Sequence, residues 1–218
     1  MYIEYPVRDY FEAYTDDLTG LRILDYGCNH ANFLRYEPFA GEYTGLDIIQ
    51  RVIEANKKQY PQHTWLLLDK FNYQYRNEAV KENWPELGEY DYALAYSVFT
   101  HTSFQEFKAT IKKLKQHATT VLATFMSTSD RDSLIKIFNN RPEYFKDPEQ
   151  LADMLMYRNR TFVACSKTDM GIDSYPPDTE YVLQFYDDEY IAKQLNAEVL
   201  KINENFDGAL GVQRCLKI

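Results

Sequence analysis

At 218 residues and 45% hydrophobic, the chain carries enough apolar material for one sizeable core, so a single domain over 1–218 is expected. Twenty-four Lys and Arg against 33 Asp and Glu leave a net charge of −9, which disfavours nucleic acid, since the densest basic stretch (Lys108, Lys112, Lys113, Lys115) has only the spacing of a helix's wet side. An acidic start (MYIEYPVRDYFEAY), no apolar run of bilayer length and three scattered cysteines (Cys28, Cys165, Cys215) argue against a signal peptide, a membrane span, a disulfide framework and a metal site, and point to a cytoplasmic protein.

Apolar runs of strand length alternate with helical periodicity along the chain. After a segment 1–20 expected as a helical cover, the first strand covers 21–26, and a helical stretch from about Asn32 leads to a turn at Gly41. The second strand, 42–46, ends at Asp47; a helix over 49–59 comes next until Pro61 stops it, and a third strand, 64–68, ends at Asp69. Residues 72–89 are polar and mixed, reading as an irregular connection or a short helix. The fourth strand, 91–96, is apolar enough for burial on both faces; Phe104, Phe107, Ile111 and Leu114 then make a helical stripe, and 119–125 a fifth strand. Beyond Met126 the alternation breaks: two helices (132–138 and 148–158), a strand-like TFVACS and a stiff Pro176-Pro177 turn form an excursion, 127–182, of the kind used as a lid or substrate-binding element. A helix over 187–195 and two closing strands, 198–202 and 211–218, complete the chain. The expectation is a doubly wound, Rossmann-like α/β fold: a mostly parallel seven-stranded sheet, its last strand antiparallel, with a helical and irregular insertion after strand five.

In such sheets ligands bind where strands end and helices begin. Those positions here are Asp25, Asp47, Asp69 and Ser97. Between the first strand and the next helical stretch stands LDYGCNHANFL, where Gly27 lets the backbone pass close beneath a ligand because no Cβ intervenes. Asp47 comes 20 residues after Gly27, about where this fold class places a carboxylate that accepts both hydroxyls of a ribose. Cys28 reads as a small side chain filling space rather than a nucleophile. His101, just past a strand end, is the candidate general base. His63 and His117 precede strands and are expected at the surface of the opposite edge. Tyr144, Tyr157, Tyr175 and Tyr181 of the excursion are candidates either for a substrate pocket or for ordinary packing.

These residues resemble the motifs of the class I S-adenosylmethionine-dependent methyltransferases, particularly the small-molecule branch. The family's first motif (apolar, acidic, apolar, Gly, any, Gly, any, Gly) is matched by Leu24, Asp25, Tyr26, Gly27, Cys28, Asn29, His30 and Ala31, with Asn29 and Ala31 standing where glycines usually do. Asn tolerates the left-handed region, and Ala is the mildest replacement. YTGLDII resembles the second motif, implying Asp47 as ribose ligand and Ile48 as adenine neighbour. LLLDKF resembles the third, implying that Asp69 reaches the adenine amino group while Lys70 or Phe71 covers the ring. DYALAYSVFTH resembles the fourth, bringing Ser97 and Val98 to the cofactor, with Thr100 where an acid usually stands. His30 is placed at the methionine end. The resemblance covers about 20–126 and 183–218 and implies S-adenosylmethionine as cofactor, methyl transfer to a small polar or aromatic metabolite (a sugar or secondary metabolite, at oxygen or nitrogen), and no metal. A nicotinamide oxidoreductase would need GxGxxG, which GCNHAN lacks. Three alternatives stay open: a non-catalytic scaffold, a methyltransferase acting on protein or nucleic acid, and another use of the same cofactor such as aminopropyl transfer. Oligomeric state is not legible.

Overall fold

The computed structural model describes residues 7, 11, 15, 18–34, 39–70, 82–139, 147–156, 162–165, 182–200 and 213–218. Phe71, Tyr144, Tyr157, Tyr175 and Tyr181, with most of 1–20 and much of the excursion, lie outside them. The chain divides into two compact units, Met1–Tyr96 with Thr110–Ala123, and Ser97–Ala109 with Thr124–Ile218.

In the first unit the strands are β1 (Arg22–Tyr26), β2 (Glu42–Asp47), β3 (Thr64–Leu67), β4 (Tyr90–Ala95) and the opening residues of β5 (Ala118–Ser127). They run in the order β3, β2, β1, β4, β5 and all pair in parallel. β1 sits centrally, with Ile23 and Leu24 facing opposite sides and both fully buried, as a parallel strand covered on both faces requires. A single 3-10 turn, Asn32–Leu34, comes after β1. Helix α1 (Gln50–Gln59) buries Val52, Ile53 and Asn56 and closes at Tyr60, just before Pro61. An aromatic layer of Phe33, Phe39, Tyr43, Trp65 and Tyr60 packs ring against ring at 5.3–6.3 Å. Gly45 makes that layer fit: a Cβ there would collide with the Trp65 ring.

The second unit takes the rest of β5 with β6 (Phe162–Cys165), β7 (Val182–Tyr186), β8 (Glu198–Leu200) and β9 (Gln213–Lys217). β7 runs parallel to β5, β6 antiparallel to β7, and β8 and β9 form an antiparallel pair. Its helices include α3 (Arg131–Asn139), α4 (Pro148–Met156) and α5 (Asp188–Leu195), and α2 (Phe104–Leu114) begins in it. Asp187 caps α5 by accepting the Tyr190 amide at 2.8 Å, with Asp188 and Glu189 in the first turn, where the helix dipole favours acids. Phe99, Phe107, Phe125, Phe138, Phe185 and Tyr186 are fully buried, Phe99 stacked on Phe107 at 3.9 Å. The doubly wound, mostly parallel class is as expected. The described residues carry two strands beyond the expected seven, β6 and β7. The first is the strand-like TFVACS; the second, VLQFY, is not separable by sequence from the approach to α5, because five residues offer too little alternation.

Candidate functional site

The sheet register sets out the three acids. Asp25 pairs with Gly45, two residues short of Asp47, and Asp47 pairs with Leu67, two residues short of Asp69. A two-residue offset preserves the face of a strand and advances each acid by roughly 6.6 Å toward the C-terminal edge. Burial tracks this stagger: Asp25 is 3% exposed, Asp47 8%, and Asp69 is exposed.

Asp25 is held beneath the edge, its Oδ2 accepting the Tyr43 hydroxyl at 2.6 Å. Burial pushes its carboxyl up to about 7; the Tyr43 bond pulls the other way and the charge of Asp47 adds to the rise. Tyr43 is itself driven well above its ordinary range by burial and by Asp25, so it stays the donor. Beyond Asp25 the chain folds back over β2, Gly27 and Cys28 both donating their amides to the Leu46 carbonyl at 2.7 and 3.2 Å. Gly27 (φ 75°), Asn29 (φ 47°) and Ala31 (φ 55°) are all left-handed, so the two replaced glycine positions keep a glycine-like backbone. Asn29 donates its amide to Asp47 Oδ2 at 2.9 Å and accepts Asn56 Nδ2 on its carbonyl at 2.6 Å. Asp47 Oδ1 accepts the Ile49 amide at 2.9 Å. The carboxyl of Asp47 is raised by burial against the pull of these amides. Both oxygens thus hold backbone N–H groups, the Ile48 amide adding to those of Asn29 and Ile49, and the remaining lone pairs of the carboxylate leave acceptor capacity for a pair of hydroxyls. Cys28 is buried, and burial, then the charges of Asp25 and Asp47, push its thiol far up, so it stays protonated. Asn29 and His30 are exposed, and Ile48 is half-buried beside Asp47.

Past β3, Asp69 bridges Asn83: the Asp69 amide donates to the Asn83 carbonyl at 3.2 Å and the Asn83 amide returns the bond at 2.8 Å. Lys70 is buried with its Nζ 3.9 Å from Glu82. One residue beyond the bridge, Trp84 lies nearly parallel to Tyr26, ring centres 5.6 Å apart.

Ser97, Val98 and His101 belong to the second unit. Ser97 is left-handed (φ 57°), a strained conformation for serine, and three groups hold it there: its amide donates to Thr124 Oγ1 at 2.7 Å, its hydroxyl accepts Gln213 Nε2 at 2.9 Å, and its carbonyl accepts Thr100 Oγ1 at 3.0 Å. Half-buried Val98 accepts the amide of His101, which closes the 3-10 turn Phe99–His101. His63 is half-buried edge-on to Tyr43, with burial lowering its pKa, and His117 is half-buried with Nδ1 3.2 Å from the Gly88 carbonyl. Among the described residues no group of three His, Cys, Asp or Glu is placed to hold a metal ion.

Sequence reasoning passed over Tyr43, Asn56, Asn83, Trp84, Thr124 and Gln213. Asn56 left a signal, a polar residue on the apolar face that Val52 and Ile53 define; the others announce themselves only through the partners they meet.

A family model described as a methyltransferase domain matches residues 24–120. No curated protein sequence matches the chain. Three similar crystal structures have TM-scores just above one half. One is a magnesium protoporphyrin IX methyltransferase from Synechocystis PCC 6803 with bound S-adenosylhomocysteine (TM-score 0.51, 13% identity, 95% of this chain and 77% of that one). Another is an S-adenosylmethionine-dependent methyltransferase from Mesorhizobium loti (0.53, 13%, 94% and 94%). The third is a Burkholderia thailandensis 1,6-didemethyltoxoflavin-N1-methyltransferase with bound 1,6-didemethyltoxoflavin and S-adenosylhomocysteine (0.54, 8%, 98% and 76%). At these identities the likeness is one of fold.

Proposed function

We propose that this chain, whose residues 24–120 match a methyltransferase-domain model and whose fold resembles that of S-adenosylmethionine-dependent methyltransferases of known structure, is a methyltransferase that binds S-adenosylmethionine and methylates a small polar or aromatic metabolite. The observation that carries the cofactor reading is Asp47, whose two oxygens are each aligned by a backbone amide from a different segment, Asn29 and Ile49, and so presented as a fixed double acceptor. The residues present fit a ribose diol there, and the left-handed run at Gly27, Asn29 and Ala31 keeps the loop turned over the end of β2.

S-adenosylmethionine would supply, when bound, an activated sulfonium methyl that is transferred to a substrate oxygen or nitrogen as the carbon–sulfur bond breaks and S-adenosylhomocysteine leaves. The chain's own work is alignment and exclusion of water. In this reading Asp47 orients the ribose, Asp69 the purine edge, and Ile48 lies against the ring. The segment from Tyr26 to His30 contributes to the methionine part; Ser97 and Val98 are further candidate cofactor residues, and His101 is the candidate proton acceptor when the nucleophile carries a proton. The net charge of −9 and the porphyrin and toxoflavin named for two neighbours support a small-molecule acceptor over nucleic acid. The scattered cysteines support a cytoplasmic setting, and among the described residues no helix is long and apolar enough to cross a membrane.

Calorimetry with S-adenosylmethionine on the folded protein, followed by an acceptor screen with labelled methyl groups, tests this directly. Binding by the native chain and at least tenfold weaker binding by Asp47→Ala are expected. A folded chain that binds neither S-adenosylmethionine nor S-adenosylhomocysteine would overturn the enzyme reading in favour of a scaffold. Turnover unchanged by His101→Ala would remove the base role alone.

A further inference from the structure

We propose that Asn83 and Asp69 together read the hydrogen-bonding edge of the adenine ring, Asp69 accepting the 6-amino group and Asn83 donating to ring nitrogen N1. This rests on the cofactor reading above and adds to it a residue that determines purine specificity.

A ring held over the end of β3 presents one donor, the amino group, beside one acceptor, N1, and a matching site must offer an acceptor beside a donor. Backbone amides are the usual small donors at a strand end, but here they are engaged. Leu68 donates to the Asp47 carbonyl at 2.9 Å, Asp69 to the Asn83 carbonyl at 3.2 Å and Lys70 to the Leu68 carbonyl at 2.9 Å. Among the described residues at this strand end, a donor for N1 is therefore offered by a side chain. The antiparallel bridge supplies one: residues directly opposite in such a pair point to the same side with Cβ atoms roughly 4.5–5.5 Å apart, which sets the Asn83 carboxamide beside the Asp69 carboxylate. Both side chains are exposed, and neither makes a hydrogen bond to another described residue. A carboxylate beside a primary amide is acceptor beside donor, the complement of the adenine edge. The flanking residues fix the segment that carries Asn83. Glu82 faces Lys70 Nζ at 3.9 Å and accepts Trp84 Nε1 at 2.7 Å, while the Trp84 ring stacks on Tyr26. Asn83 is thus held from both sides, with its own side chain left to the ligand.

The same chemistry predicts how the preference inverts. A 6-oxopurine presents an acceptor at position 6 and a donor at N1, so exchanging the two residues (Asp69→Asn with Asn83→Asp) restores a match to the oxo ring without altering net charge. The probes are S-adenosylhomocysteine and its 6-oxo analogue S-inosylhomocysteine, titrated calorimetrically into the full chain. The native protein should favour the adenosyl compound by roughly tenfold to a hundredfold. Asn83→Ala should weaken the adenosyl compound by roughly tenfold, and the exchanged pair should favour the inosyl compound. Because both side chains are exposed and the bridge is made by backbone, the variants should keep the native circular dichroism spectrum and melting temperature. Native binding of S-adenosylhomocysteine with Asn83→Ala leaving both affinities unchanged, or with the exchanged pair still favouring the adenosyl compound, overturns the inference and spares the cofactor reading. No binding by the native chain overturns both.

Discussion

Replacing Asp25 by asparagine removes a charge from the core yet leaves an amide oxygen to accept the Tyr43 hydroxyl, so the substitution isolates ionisation from hydrogen bonding. An unfolded chain titrates this group at 3.8, whereas burial carries it to about 7 in the fold. Below about pH 4 both states hold the proton. Between there and about 7 the folded chain keeps a proton that the unfolded chain has released, so stability falls as pH rises through the window and stays lowered above it. About three pH units at 1.36 kcal/mol each give about 4 kcal/mol as the order of the penalty. Urea unfolding of native and Asp25→Asn proteins across pH 4 to 9 measures it. The variant should be the more stable by a few kcal/mol at about pH 8.5 and within about 1 kcal/mol of native at about pH 4. The difference between the two curves isolates Asp25, because the other carboxyls titrate in both proteins. A difference that does not change with pH, or a variant weaker than native at about pH 8.5, would refute the reasoning that a buried carboxylate is held there at a cost. A stabilised variant that binds S-adenosylhomocysteine poorly would show that this cost serves the site.

Removing the hydroxyl with Tyr43→Phe takes away the one bond that opposes the rise at Asp25, so the fall in stability should extend above pH 7 and deepen by about 1 kcal/mol in the same urea titrations. Asp47→Asn turns an N–H₂ toward the amide of either Asn29 or Ile49, and should cost about 1–3 kcal/mol in chemical unfolding along with at least tenfold in S-adenosylhomocysteine affinity by calorimetry. At Ala31 a β-branched side chain is forced into the left-handed region, so Ala31→Val should cost about 2 kcal/mol or more. Ala31→Gly should stay within about 1 kcal/mol of native, the relief of about 1–2 kcal/mol of strain being offset by a lost buried methyl and a looser unfolded chain. Thermal melts of the two Ala31 variants check this pair, and a tolerated valine would contradict the left-handed assignment.

What the sequence by itself determined is local or periodic. Alternating apolar runs specified β1 to β5, and acids at strand ends drew attention to Asp25, Asp47 and Asp69, set 22 residues apart along the chain. Gly27 marked the turn, and Asn29 and Ala31 were legible as replaced glycines because φ preference belongs to the residue itself. Tertiary structure alone decided which atoms meet. Tyr43 reaches Asp25 across 18 residues and Asn56 reaches Asn29 across 27, pairings that exist only once strand register and helix packing are fixed. Asn83 stands opposite Asp69 because a stretch without helical or alternating pattern closes an isolated bridge, and backbone hydrogen bonds of that kind leave no mark on side-chain periodicity. The positions of the acids come from one-dimensional spacing, while their protonation and partners depend on burial and on distances between segments, which no local pattern encodes.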